Sequence, residues 1–277
     1  MKRDWMKIIL GIYTLFIIFI FYLPLILVAI LSFKSDASIT FPILGFSLYW
    51  YIGPPGLVGT SGFTSGIFYD PQIGQAIINS IVLGIATAVI VVPLVICAAL
   101  TLRYAFKGRD LIFYLLLAGF VMPAIIIGLG ANIFYKTVGI TEYSIWTVLP
   151  LHVVYTMPFG LILTMARFDP LMVEYENVAR VLGASGWKVF RKITFPLIRT
   201  QVISTFFFAF TLSLSEFLRS SFVIAGVGTI PTYVYNQMSV TAPTPKWFAL
   251  GTLSMAISLT LLFVVAYILT RGQRRII

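Results

Sequence analysis

The stretch that decides the fold is Asp169 to Pro196, DPLMVEYENVARVLGASGWKVFRKITFP. It is the longest polar segment in a chain made mostly of apolar runs. Asp169 is a good N-cap, and Pro170 falls at the first helical position, where a missing N–H costs nothing. Leu171, Tyr175, Val178 and Leu182 recur at steps of four, three and four and predict one apolar helical stripe. Glu174, Asn177 and Arg180 fall on another face, and Glu176 is spaced to pair with Arg180. Gly183 can end this helix in a left-handed conformation. Ser185 can cap a second helix that carries Lys188, Arg191 and Lys192 and runs to Pro196. Two readings fit such an elbow between apolar runs: a docking surface, or an ordinary surface hairpin.

Composition places the elbow in a membrane protein. The 277 residues are 60% hydrophobic and 10% charged, with a mean hydropathy of +1.01. A soluble domain carries about 25% charged residues. Runs long enough to span, roughly 20 apolar residues, fall at about 8–33, 76–102, 111–135, 143–166, 197–225 and 247–270. Pro24, Pro123, Pro150 and Pro158 interrupt or kink these runs. Between the first two lies a segment, 34–75, rich in glycine (Gly53, Gly56, Gly59, Gly62, Gly66) and aromatics (Tyr49, Trp50, Tyr51, Phe63, Phe68, Tyr69), which reads as an external loop. No small-residue cleavage site follows the first run, so it reads as a span and not a cleaved signal peptide.

The charges set an orientation. With both termini inside, 15 of the 19 Lys and Arg are cytoplasmic, including those of the elbow and of the loop Arg103, Lys107, Arg109. Outside acids balance outside bases, so the whole +10 sits on the cytoplasmic side. Confinement of the basic residues to short loops indicates topology rather than nucleic-acid binding. The one cysteine, Cys97, excludes an internal disulfide. No metal-ligand cluster, nucleophile–base set or Gly-x-x-x-x-Gly-Lys-Ser/Thr phosphate loop stands out, so any ATP hydrolysis belongs to another polypeptide.

Polar chemistry inside the spans concentrates in the fifth. Ser213, Ser215, Glu216 and Arg219 lie there with Thr211, Ser220 and Ser221. As a helix the run would place Glu216 and Arg219 on one face. Either they pair and lock packing, or Glu216 faces a solute path and attracts a cation. Ser213 and Ser215 fit both accounts. His152, in the fourth span without a carboxylate beside it, reads as hydrogen-bonded packing more readily than as a proton relay.

The elbow resembles the signature of the permeases of binding-protein-dependent ABC importers, which runs Glu-Ala-Ala, three residues, Gly, nine residues, Ile-x-Leu-Pro. Here Asn177-Val178-Ala179, Gly183 and Ile193-Thr194-Phe195-Pro196 match that spacing, and Arg180, Leu182, Ala184 and Ser185 follow its common form. Asn177 replaces the usual Glu, and Glu176 stands one residue earlier as a substitute charge. Trp50-Tyr51, Asn79-Ser80 and Phe106-Lys107-Gly108-Arg109 also fit the family. Ser213-Leu214-Ser215-Glu216 before Ser220-Ser221-Phe222-Val223 is similar to its spermidine/putrescine branch, although Ser215 replaces an acid and Arg219 adds a positive charge. The resemblance implies one all-α permease domain, 1–277, with six transmembrane helices in a prokaryotic inner membrane and a coupling elbow at 169–196. It implies that Glu176, Asn177, Val178, Ala179, Arg180, Gly183, Ala184, Ile193 and Pro196 engage a cytoplasmic ABC ATPase dimer, which would hold ATP and Mg. It further implies a second permease chain, identical or paralogous, and an extracytoplasmic solute-binding protein, with the solute path through Ser213, Ser215, Glu216 and Arg219. The chain itself would then be no enzyme and carry no cofactor. An ion-coupled secondary transporter and a non-transporting membrane scaffold are the rival readings.

Overall fold

The computed structural model describes residues 2–57, 63–241 and 243–274; Gly59, Gly62 and Arg275 lie outside them. In chain order the helices are α1 (Lys2–Leu31), α2 (Tyr49–Ile52), α3 (Pro71–Leu102), α4 (Arg109–Val121), α5 (Ala124–Thr137), α6 (Ile145–Met165), α7 (Pro170–Val181), α8 (Gly186–Val189), α9 (Phe195–Ser215), α10 (Ile230–Val240) and α11 (Pro245–Arg274). The only strands among the described residues are β1 (Gly56–Leu57) and β2 (Phe63–Thr64), an antiparallel pair. Among the described residues five helical runs are long and apolar enough to cross a membrane, and α4 and α5, bent 98° at their junction, pass the same test only when taken together as one broken run. Pro123 causes the bend, because its neighbour Met122 is extended and its own N–H is missing. The architecture is therefore the all-α one expected.

The described residues of 1–74 and 236–257 form one compact unit, and those of 75–235 and 258–277 another. In the first unit, Trp50 is buried. Its indole N–H donates to the Lys34 carbonyl at 2.7 Å, which removes the one polar group that would hold it at a wet surface. The Lys34 ammonium in turn meets Asp36 at 3.1 Å and the Ser38 hydroxyl at 2.9 Å. Asp70 caps α3 through the Gln72 N–H at 2.9 Å and pairs with Lys246 at 2.7 Å.

The second unit is built on α6 packed against α9, with α4 on another side of α6. Pro150 and Pro158 lie inside α6 without breaking it, and Ser144 and Thr147 close a capping box at its start. Pro158 leaves the Val154 carbonyl without its helical N–H. Gly119 of α4 is what lets a neighbouring helix close on that carbonyl, since a Cβ there would sit 2.5 Å from its oxygen. The fifth apolar run differs from the expectation in two ways. It begins earlier, because Gly186 to Ser215 is one continuous helical run with a π turn at Phe190–Thr194. The wider turn accommodates Pro196, whose ring would crowd the Lys192 carbonyl of an unbroken α-helix. The run also ends at Ser215 and not near Ala225, with Glu216 extended.

Replacing Gly119 with Ala tests the close approach of α4 and α6. The added methyl must push the Val154 backbone away, at a cost of about 1–3 kcal/mol. Thermal unfolding in detergent is expected at a lower midpoint, whereas Gly130→Ala, where nothing lies within 4 Å, does not lower it.

Candidate functional site

Two polar clusters stand at opposite ends of α9, roughly 30 Å apart along a 21-residue helix. The first is the elbow. Asp169 caps α7, accepting from the Leu171 N–H at 2.7 Å. Gly183 ends the helix at φ +82°, and the Ala184 N–H reaches back to the Ala179 carbonyl at 3.0 Å. Ser185 caps the next turn through the Lys188 N–H at 3.4 Å.

The apolar stripe of α7 faces outward. Leu171, Tyr175, Val178 and Leu182 are 55%, 54%, 54% and 81% exposed, and Val181 is exposed beside them. The buried side consists of Met172 and, at its centre, the Glu176 carboxylate, which is fully buried. Both terminal guanidinium nitrogens of Arg103 donate to it at 2.8 Å, and the Thr194 hydroxyl donates at 2.6 Å. Arg180 stands at 3.8 Å as a weaker partner. Burial pushes the Glu176 carboxyl up, but the hydrogen bonds from Arg103 and Thr194 and the charges of Arg103 and Arg180 outweigh it and hold the group below its ordinary 4.5. For Arg103, burial favours deprotonation, and Glu176 more than reverses it. Glu176 is thus an internal tie between α7, the end of α3 and the π turn, and not the surface charge expected of it. Asn177 is exposed, with its side-chain oxygen 3.4 Å from Arg180. Ala179, Ala184 and Ile193 are half-buried, and Pro196 is exposed.

The second cluster lies where α9 ends. Glu216 and Arg219 pair at 2.8 Å, but not across a helix face as expected. Glu216 caps the end of α9, and its other oxygen accepts the Arg219 backbone N–H at 2.9 Å. A carboxylate that takes a backbone donor competes with the helix, which gives a local reason for the break. The Arg219 guanidinium covers the Tyr155 ring at 4.1 Å. His152 bridges the break, with Nδ1 2.7 Å from the Ser213 hydroxyl and Nε2 2.8 Å from that of Ser220. Ser215 is exposed and bonds back to the Thr211 and Leu212 carbonyls.

The irregular backbone after Ser215 is held by side chains from other helices. Asn132 donates to the Phe222 carbonyl at 2.6 Å, Thr147 to Val223 at 2.6 Å, and Asn79 to Gly228 at 2.8 Å. Ser80 accepts the Ile230 N–H at 2.8 Å. Non-helical backbone beside an apolar span needs such partners. Asn132 and Thr147 were not singled out from the sequence, and Arg103 was read only as a cytoplasmic loop charge. Their available signal is a lone amide or hydroxyl within an apolar run, and for Arg103 a basic residue at a helix end. Among the described residues no group of His, Cys, Asp and Glu is arranged to hold a metal ion.

The family described as binding-protein-dependent transport system inner membrane component matches residues 78–275. The spermidine/putrescine transport system permease protein PotC of Haemophilus influenzae is 29% identical over 256 residues, covering 90% of this chain and 91% of that protein. The putrescine transport system permease protein PotI of Escherichia coli K12 is 26% identical over 264 residues, covering 92% and 88%. A crystal structure of a bacterial ABC transporter involved in the import of the acidic polysaccharide alginate has a chain similar in fold, with a TM-score of 0.67 at 19% identity over 99% of this chain and 96% of that one.

Removing one member of the Glu176–Arg103 pair leaves a buried charge without its partner, which costs about 3–5 kcal/mol. Arg103→Gln is expected to lower the unfolding midpoint sharply, while Glu176→Gln combined with Arg103→Gln recovers part of the loss. The folded-state value of Glu176 is depressed, so its contribution is complete above pH 4.5 and is lost as pH falls through the lowered value. A melting series in acid is expected to show that loss in the wild type and not in the double variant.

Proposed function

Because the chain belongs to the family of binding-protein-dependent transport system inner membrane components, we propose that it forms half of the solute path of an ATP-driven importer and couples that path to a separate ATPase. The observation that carries this reading is the outward apolar face of α7, Leu171, Tyr175, Val178 and Leu182, held from behind by the buried Glu176 tie. It lies where the family motif falls. An amphipathic helix with its apolar side exposed and its polar centre fixed fits a cleft on a partner. The cytoplasmic ABC ATPase dimer is that partner and holds ATP and Mg; this chain hydrolyses nothing. A second permease chain, identical or paralogous, completes the path, and an extracytoplasmic protein delivers the solute. The family supports a prokaryotic inner membrane location, and the charge distribution supports both termini being cytoplasmic.

Closure of the ATPase pair moves the elbow as a lever. Asn177, Val178 and the exposed side of Arg180 meet the ATPase, while Ala179, Ala184, Ile193 and Pro196 shape the elbow, and Gly183 sets its turn. Ser213, Ser215, Glu216 and Arg219 border the solute path. The polyamine permeases among the relatives support a small organic cation as solute. The Glu216 carboxylate is the acid that such a cation would meet, in competition with Arg219.

Gently solubilised chain is expected to co-purify with an ATPase that carries a phosphate loop and with a second permease chain; isolation of the chain alone under conditions that keep other complexes whole would refute the reading. Gly183→Val tests the lever. Nothing lies within 4 Å of a Cβ there, so the demand is conformational only. Forcing a β-branched residue to positive φ costs about 1–2 kcal/mol, so uptake is expected to fall about tenfold while membrane insertion and ATP hydrolysis persist. Glu216→Gln is expected to weaken uptake of a polyamine. A lower melting midpoint with normal uptake would instead assign Glu216 to packing with Arg219.

A further inference from the structure

The start of the Gly186–Ser215 run carries charge that no acid among the described residues pairs with. Lys188, Arg191, Lys192 and Arg199 are exposed, whereas Val189, Thr194 and Ile198 are buried, so all four cations are turned away from the packed helices. None of the four meets a carboxylate among the described residues, and the chain has no Asp or Glu between Glu176 and Glu216. Lys34, Arg103, Arg219 and Lys246, by contrast, each pair with an acid. Aromatic rings accompany the cations. Trp187 is 70% exposed and stacks on Phe190 at 5.5 Å, and Phe190 lies 6.0 Å from Phe195, which is itself exposed.

This is the composition of a helix at a membrane surface. Indole rings settle at the headgroup level, and Lys and Arg beside an apolar span draw anionic headgroups. The outward face of α7 differs in kind, since it is apolar and has little to offer a phosphate. We propose that Lys188, Arg191, Lys192 and Arg199 form a binding site for the headgroups of anionic phospholipids in the cytoplasmic leaflet, which holds the elbow against the bilayer. The site rests on the proposed orientation, with the elbow on the cytoplasmic side and the α9 run crossing the membrane, and it is independent of any role in coupling.

The test is native mass spectrometry of the chain with its co-purifying subunits, extracted into micelles that hold equal amounts of a phosphatidylglycerol and a phosphatidylcholine. Preferential retention of phosphatidylglycerol is expected, weakened at raised ionic strength. Neutralising all four residues to Gln is expected to lower that preference, by about fivefold for each cation at the surface. A charge-preserving set, with each Lys changed to Arg and each Arg to Lys, is expected to keep it. Should the fourfold variant fail to insert, Lys188→Gln with Lys192→Gln carries the measurement. Equal retention of the two lipids by the wild type overturns the proposal. So does unchanged preference in the neutralised chain, or an equal loss when Lys107 and Arg109 are neutralised instead. Loss of a co-purifying protein with lipid preference intact would assign the four cations to a protein interface and likewise overturn it.

Discussion

A carboxylate without water is the constraint from which the rest of the elbow follows. Taking Glu176 out of solvent costs several kcal/mol unless partners are held in place around it. Arg103 and Thr194 are those partners, and they come from the end of α3 and from the π turn before α9. The pair therefore does more than fasten one side chain. It fixes α7 relative to two helices that continue into the apolar part of the protein. A helix attached only by flexible joints would absorb a displacement; one tied by a buried ion pair passes it on.

The same logic governs the other end of α9. Once the chain leaves the helix at Glu216, its backbone groups need partners that water cannot supply beside an apolar span. Four side chains meet that need: Asn79, Ser80, Asn132 and Thr147. His152 joins the last turn of the helix to the segment beyond it through two hydroxyls. The break is thus an internally bonded structure and not a frayed end.

Local signals were legible in the sequence. Asp169, Pro170, Gly183 and Ser185 each act through their own backbone or that of the next few residues, and each does what its chemistry predicts. The apolar runs show up as helices because composition alone requires them to bury or meet lipid. The direction of the α7 stripe was not legible. Periodicity identifies a face, but in a membrane protein an apolar face can turn either way, and here it turns out, leaving Glu176 inside. The tie to Arg103 spans 73 residues and has no spacing rule to reveal it. The end of α9 was hidden for a similar reason: serines suit a helix as well as a break, and the groups that stabilise the break lie far away in sequence.

The π turn at Phe190–Thr194 bears on the angular phase of the chain. The Phe195 N–H reaches the Phe190 carbonyl, five residues back, so this turn holds one residue more than an α turn. In an α-helix each residue advances the chain by about 100°. Trp187 and Lys188 are consequently out of step by about one residue with everything on α9, and their compass bearing is set by that extra residue. Losing one residue between Phe190 and Thr194 would keep the run helical and apolar, yet swing its first turn to another side of the axis.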